Sequence, residues 1–489
     1  MSTLQSALQQ AWATHQAGNV AAAESVYRQI LARQPRHAAT LVYLGLAHFD
    51  QRRFKEAAQT YRAALAIQPD FPIAWNNLGN AMRMLGELAE ADACFTRALQ
   101  QKPDYLSPMK NRGTLWIWAG EVDHGLASYQ DAMRIAPDDP ELHRNLGVIY
   151  LLQQRYDEGW PEYRWRWKMN PGGRSRHPSP IWQGEDPAGK TFLLYPEQGI
   201  GDAIHFARAA HTLRQAGART VLQCATKLVP LMSSITGIDM IVPEGMSVEQ
   251  FGSGKIDYQA SLIDVVDRWY GRTGTLATGF APLGASMNVV AASGRVETGF
   301  DAASAYLNVS EPLVDYWRRT LFSAVGSNKR IGICWQGNAQ FHADIYRSAP
   351  LEAFAPLAKV DGVSLISLQH GLGREQIDSC SFGNSLARLP DSVDQSSGAF
   401  LDTAAIIRNL DLVVTVDTST GHLAAALGKP VWLVLGSVPD WRWTLDGDTT
   451  AWYPTMRLFR QQKMGQWAEV FERIAAELAA VQQSTRGGV

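Results

Sequence analysis

The stretch TFLLYPEQGIGDAIH, residues 191–205, decides how the chain is read. TFLLY is a short apolar run that reads as a buried strand, and the amphipathic run 203–216 reads as a helix. Between them Gly199 and Gly201 let the backbone approach a ligand closely, and the start of the following helix favours negative charge. Asp202 is expected at that turn, on the edge of the cleft beyond the strand. Strand, glycine turn and helix together form the unit of a parallel α/β sheet.

Downstream the unit repeats. Runs at 191–195, 220–224, 240–242 and 258–262 read as strands, with helical stretches at 202–216 and 226–235 between them. Residues 270–304, rich in Gly, Ala, Ser and Thr, carry no readable period. The pattern restarts at KRIGICW (329–335) and continues at 363–368, 410–416 and 431–435, with a last helix expected at 466–481. Two α/β domains in tandem, 191–325 and 326–489, imply a cleft between them, with ligands at the carboxyl ends of the strands. In the second domain one strand runs into Asp417-Thr418-Ser419-Thr420-Gly421-His422, where a helix begins at once. Free amides and hydroxyls at a helix start suit a diphosphate, and a carboxylate at the strand end suits sugar hydroxyls. N-capping is the alternative for Thr418 and Ser419, and a packed core histidine is the alternative for His422.

Upstream lies a repeat array. Prolines 35, 69, 103, 137 and 171 recur every 34 residues, the tetratricopeptide period. Gly45, Gly79, Gly113 and Gly147 keep phase with Ala23, Ala57, Ala91, Gly125 and Gly159, and with the aromatics Tyr27, Tyr61, Phe95, Tyr129 and Tyr163. Residues 1–172 are therefore expected to be an α solenoid of about five repeats, ten helices in all. Such a groove binds peptides or proteins, and Trp75, Asn76, Asn77, Asn80, Lys110 and Asn111 are expected to line it; a dimerisation module is the alternative. The segment WPEYRWRWK, residues 160–168, interleaves Arg and Trp, which suits either nucleic-acid stacking or, the reading preferred here, packing at the end of the solenoid. Residues 173–190 then form a linker.

Composition sets bounds. A chain of 489 residues with 46% hydrophobic and 19% charged residues needs several cores, and its net charge of -2 gives no reason to expect a nucleic acid. Cys94, Cys224, Cys334 and Cys380 are far apart and read as reduced thiols. The start lacks the basic and apolar parts of a signal peptide, and no run of about 18 apolar residues exists, so a cytoplasmic protein without a membrane span is expected.

The motifs carry a resemblance. G-D-x-x-H (Gly201, Asp202, His205) and V-D-T-x-x-x-H-L (Val416 to Leu423) resemble the ADP-heptose:lipopolysaccharide heptosyltransferase family, and more closely its bacterial branch with tetratricopeptide repeats in front. Trp335-Gln336-Gly337-Asn338, Ser367-Leu368-Gln369, Asp440-Trp441-Arg442-Trp443 and the stretch from Trp452 to Gln461 fit that branch. The resemblance implies a GT-B fold of two Rossmann-like domains and an inverting glycosyltransferase with a nucleotide-sugar co-substrate and neither metal nor other cofactor. It makes Asp202 the general base, with His205 beside it as a second catalytic candidate. It gives Asp417 to the donor sugar, and Thr418, Ser419 and Gly421 to the diphosphate. Arg347 stands where the heptosyltransferases carry a phosphate-binding Lys. Gly199, Gly201, Trp335, Gln336, Asn338, Gln369, Thr420 and His422 complete the donor-side set. Sugar and nucleotide do not transfer with the resemblance. Three readings follow: a transferase whose repeats recruit a protein acceptor, a transferase for an envelope or lipid-linked glycan, and a repeat scaffold with an inactive transferase half.

Overall fold

The computed structural model describes residues 3–175, 177–252, 254–277, 305–322, 328–338, 341 and 344–486. It separates into two compact units, residues 1–150 with 161–166, and residues 151–160 with 167–489. Most of the stretch 270–304 lies outside the described residues; its first four residues finish the helix Leu262–Thr273.

The first unit is built from antiparallel helix pairs, Thr3–Gln16 with Val20–Arg33, Ala38–Asp50 with Phe54–Ile67, Pro72–Met84 with Leu88–Gln101, and Leu106–Trp118 with Val122–Ile135. Pro140–Leu152 and the short Tyr156–Tyr163 follow. The 34-residue period works through one repeated contact. A Cβ added at Gly45, Gly79 or Gly113 would fall 2.5, 2.6 or 2.8 Å from the ring of Tyr61, Phe95 or Tyr129. The aromatic of each second helix thus occupies the volume that a side chain on the first helix would need. At Gly147 the contact tightens: a Cβ would meet the Tyr163 backbone nitrogen at 2.4 Å. Inside this unit Asn111 Nδ2 donates to Asn76 Oδ1 (2.9 Å), and Lys110 reaches Glu141 and, at 3.3 Å, Asp139, so these polar groups are engaged with one another.

The tryptophan-rich segment is packing material. His143 stacks on Trp165 at 3.6 Å within the first unit. In the second unit Trp160, 1% exposed, meets Trp441 edge-on at 5.5 Å, and Trp167 Nε1 donates to Asp264 Oδ1 at 3.1 Å. Residues 173–190, expected as a linker, also pack: Ile181 bridges Gln259 and Trp182 is fully buried with its indole on the Glu185 carbonyl.

The second unit holds two wholly parallel sheets. The first contains β1 Thr191–Tyr195, β2 Arg219–Cys224, β3 Met240–Pro243 and β4 Tyr258–Ser261, in the order β3-β2-β1-β4. The second contains β5 Lys329–Cys334, β6 Val363–Ser367, β7 Leu412–Val416, β8 Val431–Leu435 and β9 Met456–Arg460, in the order β6-β5-β7-β8-β9. Both are doubly wound orders, consistent with a GT-B fold, and their order reverses beside β1 and between β5 and β7. β9 was not anticipated from the sequence. The helix expected over 202–216 is two helices, Ile200–Phe206 and Ala209–Gln215, and the bend between them turns Arg208 into the interior. One face of the second sheet (Ile331, Ile333, Trp335) packs on Phe354, Phe471 and Ile474, the last two from the closing helix Trp467–Arg486.

Glycines 79 and 147 make a testable pair. Gly79→Ala should lower the melting temperature of the full chain by an overpacking cost of about 1–3 kcal/mol, part of which Phe95→Leu should restore. Gly147→Ala meets backbone instead of a ring, so it should cost more, and Tyr163→Leu should not restore it. Thermal melts of the four variants check both halves.

Candidate active site

Three strand ends converge where the sheet orders reverse. β1 runs into the turn 196–199, with Gly199 as the N-cap of the helix Ile200–Phe206 and Asp202 in its first turn. β7 runs into Asp417 and Thr418, which begin the helix Ser419–Ala426. β5 runs into Trp335 to Asn338. The two helices from β1 and β7 meet start to start. A Cβ on Gly201 would lie 3.3 Å from Ser419 Cα and 3.2 Å from His422 Cδ2, so any side chain there would need its neighbours to give by a few tenths of an ångström. Both N-terminal partial charges face the same small region, which therefore favours anions.

The acidic and basic groups of the region are coupled. Arg442, 7% exposed, donates to Asp202 Oδ1 through Nη2 and to Asp440 Oδ1 through Nη1 (2.5 Å). Burial pushes the Asp202 carboxyl up from its ordinary range; Arg442 pulls it down and Asp440 pushes it up again. Asp417 is pushed up to about 6, first by burial and then by Asp440, against the pull of Arg347. Arg347 is itself steered: Nε donates to Asp344 Oδ1 at 2.9 Å, its guanidinium lies 4.9 Å from the Phe341 ring, and a Cβ on Gly337 would fall 2.5 Å from Nη2. Gly337 of the W-Q-G-N string is therefore the space into which Arg347 fits.

Other candidates turn inward. His205 is fully buried, with Nδ1 3.0 Å from Tyr453 Oη; His422 Nδ1 lies 3.1 Å from the same oxygen. Tyr306 Oη is 3.3 Å from it and donates to the Ile204 carbonyl at 2.9 Å. Burial drives both imidazoles well below the usual histidine range; neighbouring Arg208 and Arg442 add to this, as do His422 for His205 and Arg347 for His422. Arg208 stacks over Tyr453 (4.1 Å) and Tyr306 (4.8 Å). Trp335 is fully buried with its indole on the Gly373 carbonyl. Gln369 is a bracket: Oε1 accepts from the amides of Trp335 (3.2 Å) and Gln336 (3.0 Å), and Nε2 donates to the carbonyls of Gln336 (3.0 Å) and Leu372 (2.8 Å). Gln336 Oε1 takes a bond from Gln376. Thr418 does not cap its helix with its side chain; its hydroxyl lies 3.1 Å from Thr415 Oγ1. Thr420 and Gly421 are buried, the latter with a Cβ position 3.1 Å from Thr415 Cγ2. Asp417 and Ser419 are partly exposed, and Gly199 and Asn338 are exposed.

Asp202, Asp417, Arg347, Arg442, Ser419 and the two helix starts therefore lie close together. Trp335, Gln369, Thr418, His205 and His422 are buried. The sequence reading missed Arg442, Asp440 and Tyr453. All three stood in quoted motif strings, but nothing local to them named a partner. Among the described residues no group of three His, Cys, Asp or Glu could hold a metal ion, and no helix is long and apolar enough to cross a membrane.

Family models match separate parts of the chain. Tetratricopeptide-repeat models match residues 8–72 and 48–111. The glycosyltransferase family 9 (heptosyltransferase) model matches residues 399–452, which contain Asp417 to His422, Arg442 and Trp452. Protein FlbA of Caulobacter vibrioides is 26% identical over 315 residues, 62% of this chain, and the chain spans about half of it (49%). Among solved structures, a thermophilic tetratricopeptide protein of Thermus thermophilus aligns with 22% identity over 35% of this chain and 92% of its own, TM-score 0.32. MamA aligns with 20% identity over 32% of this chain and 93% of its own, TM-score 0.29. The chain thus carries tetratricopeptide repeats, and the family 9 match points to a glycosyltransferase.

Asp417 gives a pH prediction. Its folded-state pKa of about 6 lies above the ordinary 3.8, so protonation favours the native state. That contribution is complete below about pH 4 and is lost as the pH rises through 6. Asp417→Asn removes the penalty of a buried charge. It should raise the melting temperature at pH 8, by the equivalent of up to about 3 kcal/mol, and the gain should vanish near pH 4. Melts from pH 4 to 8 check the sign.

Proposed function

We propose that the second unit is an inverting glycosyltransferase that takes a sugar from a nucleotide-diphosphate donor and passes it to an acceptor hydroxyl on a protein held by the repeats. The observation that carries this is the start-to-start meeting of the helices Ile200–Phe206 and Ser419–Ala426 at Gly201, which brings Asp202 close to the Asp417–Ser419 turn. The family 9 match over 399–452 supports the same reading.

The chemistry assigns each group a task. The acceptor oxygen attacks the anomeric carbon as its proton passes to Asp202, a new C–O bond forms, and the bond to the diphosphate breaks with inversion. A carboxylate beside the nucleophile supplies general base catalysis, typically about 10²–10⁴-fold. Negative charge grows on the leaving diphosphate, where Arg347 and the amides opening the helix Ser419–Ala426 supply preorganised positive density. Asp417 faces sugar hydroxyls, and its raised pKa leaves it able to accept or donate there. His205 and His422 act as packing groups under this reading, held neutral by burial. With the arginine and the amides compensating the diphosphate, the reaction requires no divalent cation. The repeats bring the target hydroxyl to the crevice by raising its effective concentration.

A thermal-shift panel of nucleotide sugars identifies the donor class, since a ligand that binds only the folded chain raises its stability. Donor transfer should then persist in EDTA. Asp202→Asn should cut turnover by at least about 100-fold with donor affinity within a few-fold of wild type, whereas Arg347→Ala should lose both. Binding and rates measured on the two variants separate the roles; a fully active Asp202→Asn would place the base elsewhere.

A further inference from the structure

The base proposed for this reaction and the group that faces it come from different sheets. Asp202 follows β1, whereas Arg442 lies in the short 3-10 turn Trp441–Trp443 beyond β8. The turn is built to present its arginine. Asp440 caps it, accepting from Arg442 N (3.1 Å) and Nη1 (2.5 Å). From behind, Arg460 of β9 donates to the carbonyls of Trp443 (2.6 Å), Thr444 (3.0 Å) and Gly447 (3.0 Å), which fixes a segment that has no regular structure of its own. The guanidinium lies 4.8 Å from the ring centre of Phe206, on the helix of Asp202, and 5.2 Å from that of Trp441. A charge this buried is costly unless paired, and one guanidinium shared between two carboxylates is strongly directional.

We propose that Arg442 is the positioning residue of Asp202: reaching across from the second sheet, it holds the carboxylate of the first ionised and oriented, so the base is complete only while the two sheets are joined at this pair. The inference rests on Asp202 being the base. Arg442 takes Oδ1, the Gly199 amide also hydrogen-bonds the carboxylate, and a lone pair remaining on Oδ2, the oxygen on the Gly199 side, takes the acceptor proton. In the transfer step the acceptor O–H bond breaks toward Oδ2, the acceptor oxygen bonds the anomeric carbon, and the electron pair of the cleaved bond leaves with the diphosphate. The charged groups around Asp202 are Arg442 and Asp440; both also act on Asp417, after β7, as does Arg347, after β5. Burial raises the Asp202 pKa and Arg442 opposes it, so removing the arginine moves the carboxyl further up.

The test uses the full chain with Arg442→Met and Arg442→Lys. In Arg442→Met the acid limb of kcat/KM, which reports the free enzyme's base, should move up by about one pH unit or more. At pH 7 kcat should fall at least tenfold while donor affinity stays within threefold. Arg442→Lys should return the limb to within about half a unit of wild type without restoring the full rate, because lysine lacks the forked geometry. An unmoved acid limb in Arg442→Met overturns the inference, whatever happens to the rate. A donor-free arm decides the matter if wild type turns over no nucleotide sugar, an outcome that sinks the proposed function by itself. In melts of Asp202→Asn, Arg442→Met and the double variant at pH 7, the double should melt within about 2 °C of the less stable single. Strictly additive losses would show that the pair does not couple the two sheets, and would overturn the inference on their own.

Discussion

The second unit depends on the approach of two helix starts at Gly201. With no side chain there, the backbone of Ser419 and the ring of His422 come into van der Waals contact with the helix that follows β1. The approach is electrostatically adverse, because two positive helix ends face each other. The chain answers with carboxylates: Asp202 in the first turn of one helix and Asp417 just ahead of the other. Those carboxylates are then too close to Asp440 to be comfortable, and Arg347 and Arg442 enter to balance them. Each charge in the crevice thus follows from the one before it, starting at a glycine. A side chain at position 201 would press on Ser419 and His422 and strain the arrangement at its tightest point.

The repeats and the strand-and-helix rhythm were legible because they rest on short-range rules. A glycine on one helix and an aromatic 16 residues later, as Gly79 and Phe95, is a local contact that the period repeats. Strand ends with glycine turns were legible for the same reason, and Gly199, Asp202 and Asp417 stand at them. Arg442 and Tyr453 were not, since their partners Asp202 and His205 lie 240 and 248 residues away. Trp335 and Gln369 were placed on the donor side because their strings matched a family, but a motif does not say which way a side chain faces. Both close the backbone around the β5 turn. β9 escaped notice because Arg457 and Arg460 break its apolar run, and their side chains are spent on Glu477 and on the carbonyls beyond Trp443.

The two units carry different kinds of order. In the repeats each contact is made again one period later, so stability is spread over equivalent steps. In the α/β unit the decisive contacts are single and long-range. Residues 173–190 belong to the second kind, with Trp182 seated under β1 against Phe192 at 5.4 Å.

The hydroxyl of Tyr453 has one hydrogen and three close neighbours. His205 Nε2 is buried with no partner among the described residues, so a hydrogen placed there would be a stranded donor. His205 therefore carries its hydrogen on Nδ1 and gives it to Tyr453 Oη. Tyr306 has already given its own hydrogen to the Ile204 carbonyl. Tyr453 has two acceptors left for its hydrogen, His422 Nδ1 at 3.1 Å and Tyr306 Oη at 3.3 Å. One phenol oxygen thus joins an imidazole on the first sheet's helix to an imidazole on the second's. The ¹⁵N chemical shifts of the two rings report where the shared hydrogen lies, and so serve as a signature of the joined state.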